Sequence, residues 1–367
     1  MNIYYTIVST FRGGDYMYRK ITQYLKAWKD SEHRKPLILQ GARQVGKTWS
    51  ILEFGRTHYE NVAYFNFETN PKLNETFEEN ISPDYLIPIL SHIAGQTIVR
   101  EKTLIVFDEV QLCERALTSL KYFREDAPDY HIIVAGSLLG AAVNRARFSF
   151  PVGKVDMKTL YPMDMEEFLL ACGEAALVEQ IKNCFETDTP LPAALHDKAM
   201  HLYRQYLIVG GMPECVMQFA DTKDYILVRH TQDTILAGYL NDMSKYNNLN
   251  AIKKTRLVYG NITVQLSKKN TRFQYKLIKK GGRASESENA IEWLCLSGIV
   301  SQVYKVEQIR KPLENYRDID AFKIYVSDLG LLCAKKTWRQ TIFSTWSMRL
   351  TILRVVWLKT MSTSSYP

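Results

Sequence analysis

Residues 41–48 read GARQVGKT, which sets Gly41, Gly46, Lys47 and Thr48 at the spacing G-x-x-x-x-G-K-[ST]. Each residue type has a physical task if the segment is to hold a polyphosphate. Glycines let the backbone wrap tightly, so that several N–H groups converge on phosphate oxygens. The lysine ammonium reaches the β- and γ-phosphates, and the threonine hydroxyl is a ligand for Mg2+. A helix beginning at this point adds the positive end of its dipole. ATP is therefore the expected ligand, contacted by Gly41, Ala42, Arg43, Gln44, Val45, Gly46, Lys47, Thr48 and the adjoining Trp49.

A second constellation lies about sixty residues on, where residues 104–109 read LIVFDE. Four apolar residues place a strand in the middle of a sheet, and Asp108 then emerges at its C-terminal end, where such sheets bind ligands. There Asp108 can hold magnesium, usually through water. Glu109 has two readings, as the base that orients an attacking water or as a solvated acid at a strand end. Ser137 ends the run HIIVAGS. It is placed either to touch the γ-phosphate or the water, or simply to end the strand in a Gly-Ser turn. Transition-state charge calls for a further cation beside Lys47. Arg43, Arg124, Arg145, Arg147 and Lys154 are options, each equally readable as a plain surface charge, and none is singled out.

The elements that must position these residues follow from apolar patterning. Residues 36–41, 62–68, 103–110 and 131–137 are short, nearly continuous apolar runs, with a fifth strand expected within 152–159. Helical stretches are expected at 48–58, 74–94 and 119–126. Apolar strands alternating with helices predict an α/β fold, a P-loop NTPase of AAA/RecA-like type with a parallel sheet sandwiched by helices. After Pro162 the pattern turns helical, over 166–170, 196–209 and 225–240. From about residue 251 helices mix with short strands. Residues 285–296 (SESENAIEWLCL) form an amphipathic helix with a capping-type start, followed by strands at 298–306 and 322–326. A helix followed by hairpin-like strands suits a winged-helix module. The expected organisation is an N-terminal extension at 1–16, an ATPase core at 17–162, a helical lid at 163–250, a winged-helix-like segment at 251–333 and an anomalous tail at 334–367.

The ends are expected to be unusual. Residues 1–16 do not resemble the start of a domain, whereas Met17 opens the helical pattern MYRKITQYLKAWKD. Met17 is therefore read as the true initiator. The tail from residue 334 carries six Lys or Arg, no Asp or Glu and three of the six tryptophans, without clean periodicity. It reads as an out-of-frame end. It also explains the net charge of +8, because without it 41 basic residues face 39 acidic ones. Net charge is thus no argument for nucleic acid.

The remaining composition excludes several classes. The cysteines (Cys113, Cys172, Cys184, Cys215, Cys295 and Cys333) form no CxxC pair and do not cluster with histidines, which argues against a zinc site or a disulfide framework. No apolar run reaches the ~18 residues of a membrane span. The start, MNIYYTIVST, lacks the charged region and apolar core of a signal peptide. Reduced thiols in a cytoplasmic protein are the expectation.

Eight segments in order, GARQVGKT, YFNFE, LIVFDEVQ, IIVAGSLLG, FPVGKV with YPMDMEEFL, GGMPE and FKIYVSDLGLL, resemble a widespread family of bacterial and archaeal AAA-type ATPases. Members carry a C-terminal domain of unknown function with nuclease-like architecture. The resemblance runs from about residue 17 to residue 333, and FPVGKV, GGMPE and SDLGLL make it more specific than the phosphate loop alone. It implies an AAA-like core, a lid, a winged-helix-like segment and the terminal domain. It also implies that Pro213 of GGMP approaches the nucleotide, although Gly-Gly and Pro would make an inter-helix turn in any case. The pattern stops near Cys333, so most of the terminal domain is expected to be missing and nuclease activity is not carried over. AAA-type sites often borrow an arginine from a neighbouring subunit. No residue here clearly plays that part, and an oligomer is left open.

Three functions compete. One is an ATP-hydrolysing switch acting on DNA or a protein partner. Another is a DNA-binding module gated by nucleotide, for which the basic run at 276–283 (KLIKKGGR) could meet phosphates or form a solvated face. The third is the product of a disrupted gene. A small-molecule kinase is weaker, because no arginine-rich lid is found.

Overall fold

The computed structural model describes residues 17–136, 151, 153–245, 249–267, 272–278 and 287–335. Ser137, Arg145, Arg147, the N-terminal extension and the tail from residue 336 on lie outside the described residues, as does 279–283 of the basic run. The chain divides into two compact units, Met1–Tyr161 and Pro162–Pro367.

In the first unit, apolar runs become strands because both of their faces are covered. β3 (Thr103–Asp108) is buried at every position, and so is β4 (His131–Ala135). With β1 (Leu37–Gln40), β2 (Asn61–Asn66) and β5 (Asp156–Thr159) they form a five-stranded sheet of order β2-β3-β4-β1-β5. All its pairings are parallel. One face carries Ala63, Phe65, Ile105, Phe107, Ile132 and Val134. They pack with Leu73 and Phe77 of α3 (Lys72–Glu79), Leu86 and Leu90 of α4 (Pro83–Ala94) and Leu120 and Phe123 of α5 (Glu114–Asp126). The opposite face meets α2 (Lys47–His58), whose Gly55 lies so close to Val62 and Leu104 that a side chain there would collide. Ahead of the sheet runs α1 (Ile21–Lys29), which buries Ile21, Leu25 and Trp28, residues spaced one turn apart.

The expected single helix at 74–94 is two. Asn80 and Ser82 are extended, and Pro83 takes the first position of α4, where its missing N–H costs nothing. The helix expected at 119–126 begins earlier, at Glu114.

The second unit is mainly helical among its described residues. α6 (Met165–Ala171) starts on a capping box, in which Glu167 N–H donates to Asp164 Oδ1 at 2.9 Å and Asp164 N–H donates to Glu167 Oε2 at 3.1 Å. α7 (Ala175–Glu186), α8 (Ala193–Val209), α9 (Pro213–Thr222), α10 (Tyr225–Lys245) and α11 (Leu249–Ser267) follow. Next come α12 (Glu288–Leu296) and an antiparallel pair, β6 (Val300–Val306) and β7 (Arg317–Val326). β7 is longer than the expected 322–326. The helix α13 (Leu329–Lys335) carries the fold past residue 333, since Ala334 is buried and the Lys335 ammonium donates to Tyr259 O at 2.9 Å. The first two residues assigned to the tail therefore belong to this helix.

Candidate nucleotide site

The site of interest is built at the C-terminal ends of β1 and β3 in the first unit. β1 is held between β4 and β5, and its last residue is fixed twice: Leu160 N–H donates to Gln40 O at 2.8 Å, and Gln40 Nε2 donates to Thr159 Oγ1 at 3.0 Å. The chain then turns through residues 41–46 into α2. This turn depends on glycine. Gly46 has φ 90°, a left-handed conformation at the residue preceding the helix. Gly41 passes so near the Leu160 carbonyl that a Cβ built there would overlap the oxygen. Gln44 occupies the left-handed region at φ 65° without being glycine. Such strain collects at ligand clamps.

Lys47 is the first residue of α2 and is only 7% exposed. Its ammonium donates to Gly41 O at 2.8 Å and Ala42 O at 2.9 Å. Burial lowers its pKa to about 8, opposed by the Glu109 and Asp108 carboxylates and reinforced by Arg43. Thr48 Oγ1 donates to Asp108 Oδ2 at 2.8 Å, across 60 residues of sequence. The two residues expected to hold magnesium are thus in direct contact. Their hydroxyl and carboxylate oxygens are the hard donors this ion takes, alongside water and phosphate oxygens. The residues present fit the ion.

Glu109 follows Asp108 in a left-handed conformation, φ 52° and ψ 37°. Its carboxylate accepts a hydrogen bond from Gln111 Nε2. Burial pushes the Glu109 pKa up, the Gln111 bond opposes this, and the Asp108 charge adds to it. A carboxylate made more basic in this way is suited to accepting a proton from water.

Three residues in this region were not singled out from sequence. Tyr64 on β2 donates its hydroxyl to Asp108 Oδ2 at 2.8 Å. Burial, and then the Asp108 charge, pushes the Tyr64 phenol far above its ordinary pKa. Asn66, two residues on, donates from Nδ2 to the Tyr64 hydroxyl at 3.1 Å, and its Oδ1 accepts from the N–H groups of Glu68 and Thr69 at 2.9 and 3.0 Å. Arg19, only 1% exposed, donates to Val45 O and Tyr161 O, both at 2.8 Å. It braces the phosphate loop from behind. The Tyr and Asn of YFNFE were a signal, because polar residues ending a buried strand beside a DE strand face its acids. Arg19 left none.

Among the other expected residues, Ala42 and Val45 are buried in the loop, Gln44 is exposed, and Arg43 and Trp49 are half-buried. Lys154 sits 2.8 Å from Glu125 in an ion pair, which gives it a structural occupation. Pro213 belongs to the second unit, buried at the first position of α9. Its turn is knotted there: Gly211 N–H donates to Asp328 Oδ2 at 2.6 Å, and Met163 N–H donates to Gly211 O at 2.6 Å.

Comparison with known proteins follows the division of the chain. Residues 33–169 match a family model described as an AAA domain, and residues 200–341 match one described as Domain of unknown function (DUF8612). No curated protein matches the chain. Among solved structures, the chain is similar to the Walker-type ATPase PABY2304 of Pyrococcus abyssi, with a TM-score of 0.55 and 13% identity over 89% of this chain and 97% of that one. The Aeropyrum pernix ORC2 protein matches with a TM-score of 0.41 and 10% identity over 96% of this chain and 98% of that one, too low a score to build on. The fold is that of a P-loop NTPase, and residues 33–169 are similar to an AAA domain. The second matched segment brings no assigned activity, so the nuclease-like architecture expected from the resemblance has no support.

Proposed function

We propose that this chain binds ATP with magnesium at residues 41–49 and hydrolyses it to ADP and phosphate. The observation that carries this reading is the 2.8 Å bond from Thr48 Oγ1 to Asp108 Oδ2, which joins the phosphate loop to the acid-bearing strand. Loop N–H groups and the start of α2 receive the phosphates. Lys47 leaves the carbonyls of Gly41 and Ala42 for the β- and γ-phosphate oxygens. Thr48 and Asp108 would hold magnesium, which would offset phosphate charge when bound. Glu109 orients the attacking water and takes its proton, and the γ-phosphoryl passes to that water with ADP leaving in line. Ser137 is kept in the proposal as a contact to the γ-phosphate, and Pro213 as a residue that approaches the nucleotide.

Glu109→Gln is expected to lower turnover about 10²- to 10⁴-fold, the usual contribution of a positioned general base. ATP affinity in this variant stays near the wild-type value, as read by steady-state phosphate release beside equilibrium binding. Turnover unaffected by Lys47→Ala would sink the proposal.

The work driven by hydrolysis is proposed to fall on DNA or a protein partner. The arrangement that favours DNA is α12 followed by the β6–β7 hairpin, a helix and wing in sequence order. In that case DNA binding weakens steeply with salt and changes between the ATP- and ADP-bound protein. Salt-dependent DNA binding indifferent to nucleotide hydrolysis would favour a DNA-binding module with a merely gating site.

A further inference from the structure

We infer that Tyr64 is a positioning residue for the magnesium site, fixing the Asp108 carboxylate so that one oxygen is saturated by hydroxyl donors and the other is turned toward the metal's water shell. The inference rests on the proposed magnesium-dependent use of ATP and concerns residues that neither the phosphate loop nor the DE pair includes.

Asp108 Oδ2 has two lone pairs. One accepts the Thr48 hydroxyl and the other the Tyr64 hydroxyl, each at 2.8 Å. A threonine hydroxyl that ligates magnesium through a lone pair still has its proton to give, so the Thr48 bond survives metal binding. The Tyr64 bond then takes the remaining lone pair of Oδ2. Oδ1 accepts only the N–H of Glu109, at 3.0 Å, among the described residues. Oδ1 is thus the oxygen with a lone pair left for a metal-bound water. A carboxylate held from one side only would be free to turn about its Cβ–Cγ bond. Donors on both oxygens from three separate residues remove that freedom.

Tyr64 is itself held in the donating orientation. Asn66 Nδ2 donates to its oxygen at 3.1 Å, and a phenol oxygen that accepts from an amide directs its own proton elsewhere, here to Asp108. Asn66 in turn cannot turn its amide round without losing the Glu68 and Thr69 N–H groups on Oδ1. The order of donation is therefore fixed along the chain Asn66 to Tyr64 to Asp108. β2 and β3 pair Asn66 with Asp108 in parallel register, so the network belongs to the sheet and does not depend on a mobile loop.

The test uses the whole chain and a fluorescent ATP analogue titrated with magnesium, so that the readout is binding and not turnover. In Tyr64→Phe the magnesium concentration at half-effect is expected to rise about tenfold, the lower end of what outer-shell partners of a metal site contribute. Affinity for the analogue without magnesium is expected to hold within about twofold, since among the described residues the Tyr64 hydroxyl is hydrogen-bonded to Asp108 and Asn66 and to no residue of the phosphate loop. Asn66→Asp is the second variant. It keeps an acceptor for the Glu68 and Thr69 N–H groups but offers Tyr64 a competing carboxylate, and it is expected to shift the magnesium midpoint in the same direction. A magnesium midpoint left in place by both folded variants overturns the role of Tyr64 alone. Wild-type protein whose analogue affinity ignores magnesium overturns the ATP reading beneath it.

Discussion

Arg19 is a residue whose importance lies entirely in where its donors end. Its guanidinium is buried, with one nitrogen on the Val45 carbonyl inside the phosphate loop and another on the Tyr161 carbonyl, 142 residues away. A planar fork can satisfy two acceptors that lie in different directions, and a lysine ammonium at the end of a flexible stem cannot reproduce that geometry. Arg19→Ala strips both carbonyls of a charged donor. The expected loss is about 1–3 kcal/mol of stability, chiefly from the buried Val45 carbonyl left unpaired, since the bond to Tyr161 is only part-buried. Arg19→Lys should recover part of it. Urea denaturation of the two variants checks the order. Equal loss in both would mean that the charge matters little and the fork is everything. ATP affinity should fall along with stability, because Val45 sits in the middle of the loop proposed to wrap the phosphates. The loop's own chemistry was legible from spacing, since glycine, lysine and threonine at fixed offsets have few other uses. The brace was not legible, since a lone arginine in an N-terminal helical pattern reads as a surface charge until the fold brings two distant carbonyls to it.

Elements position these side chains, and the junction of β1 with α2 is the most demanding. Gly41 and Gly95 both have positive φ, at 148° and 65°, but their surroundings differ. A Cβ on Gly41 would overlap the Leu160 carbonyl oxygen, a backbone atom fixed beside the end of β5. One on Gly95, after α4, meets nothing. Gly95→Ala should therefore cost only the left-handed backbone, about 1–2 kcal/mol, and leave ATP affinity alone. Gly41→Ala must move the loop or the strand end and is expected to weaken ATP binding by at least about tenfold, the effect of a loss of ~1.4 kcal/mol. A thermal melt beside a binding titration separates the two outcomes. The parallel sheet was legible because its central strands β3 and β4 are almost continuously apolar, a pattern that burial on both faces explains, whereas the edge strand β5 (DMKT) has no such pattern. Four helices, α7, α9, α11 and α13, were not foreseen as separate elements. α11 contains Gly260, Thr263 and Val264, residues of weak helical preference, and it forms because Val258, Ile262 and Leu266 are buried along one side. Here tertiary packing overrides local propensity. The division of 74–94 into α3 and α4 was carried by Pro83, which starts a helix as readily as it breaks one.

Across the whole molecule, the candidate nucleotide site lies in the first unit, and the second unit is closed by a buried carboxylate, Asp328, held among the described residues by backbone N–H groups. Asp328 accepts the N–H of Gly211 on Oδ2 at 2.6 Å and that of Leu331 on Oδ1 at 2.8 Å, so it joins the turn before α9 to the start of α13. GGMPE and SDLGLL, widely separated in sequence, are two halves of this knot. Gly210 is required because a side chain there would strike the Asp328 carboxylate, and Gly330 because one there would strike the Val209 carbonyl. Burial raises the Asp328 pKa from 3.8 to about 6, against the N–H groups of Gly211, Leu331 and Gly330, which favour the charged form. The folded state thus holds this proton more tightly than the unfolded chain does. The stabilisation from this group is complete below pH about 4 and is lost as pH rises through about 6, with a slope of at most ~1.4 kcal/mol per pH unit. Asp328→Asn removes the titration. It also leaves one acceptor oxygen where two were used, with an amide N–H₂ facing a backbone donor, so the variant is expected to be the less stable at low pH. The gap between wild type and variant should then shrink as pH is raised from about 4 to 7, in urea denaturation followed by a probe in the second unit. A gap that widens instead would mean that the three N–H groups stabilise the charge more than burial penalises it. The carboxylate would then act as an anion cradle joining the two turns, and acid rather than base would loosen the unit.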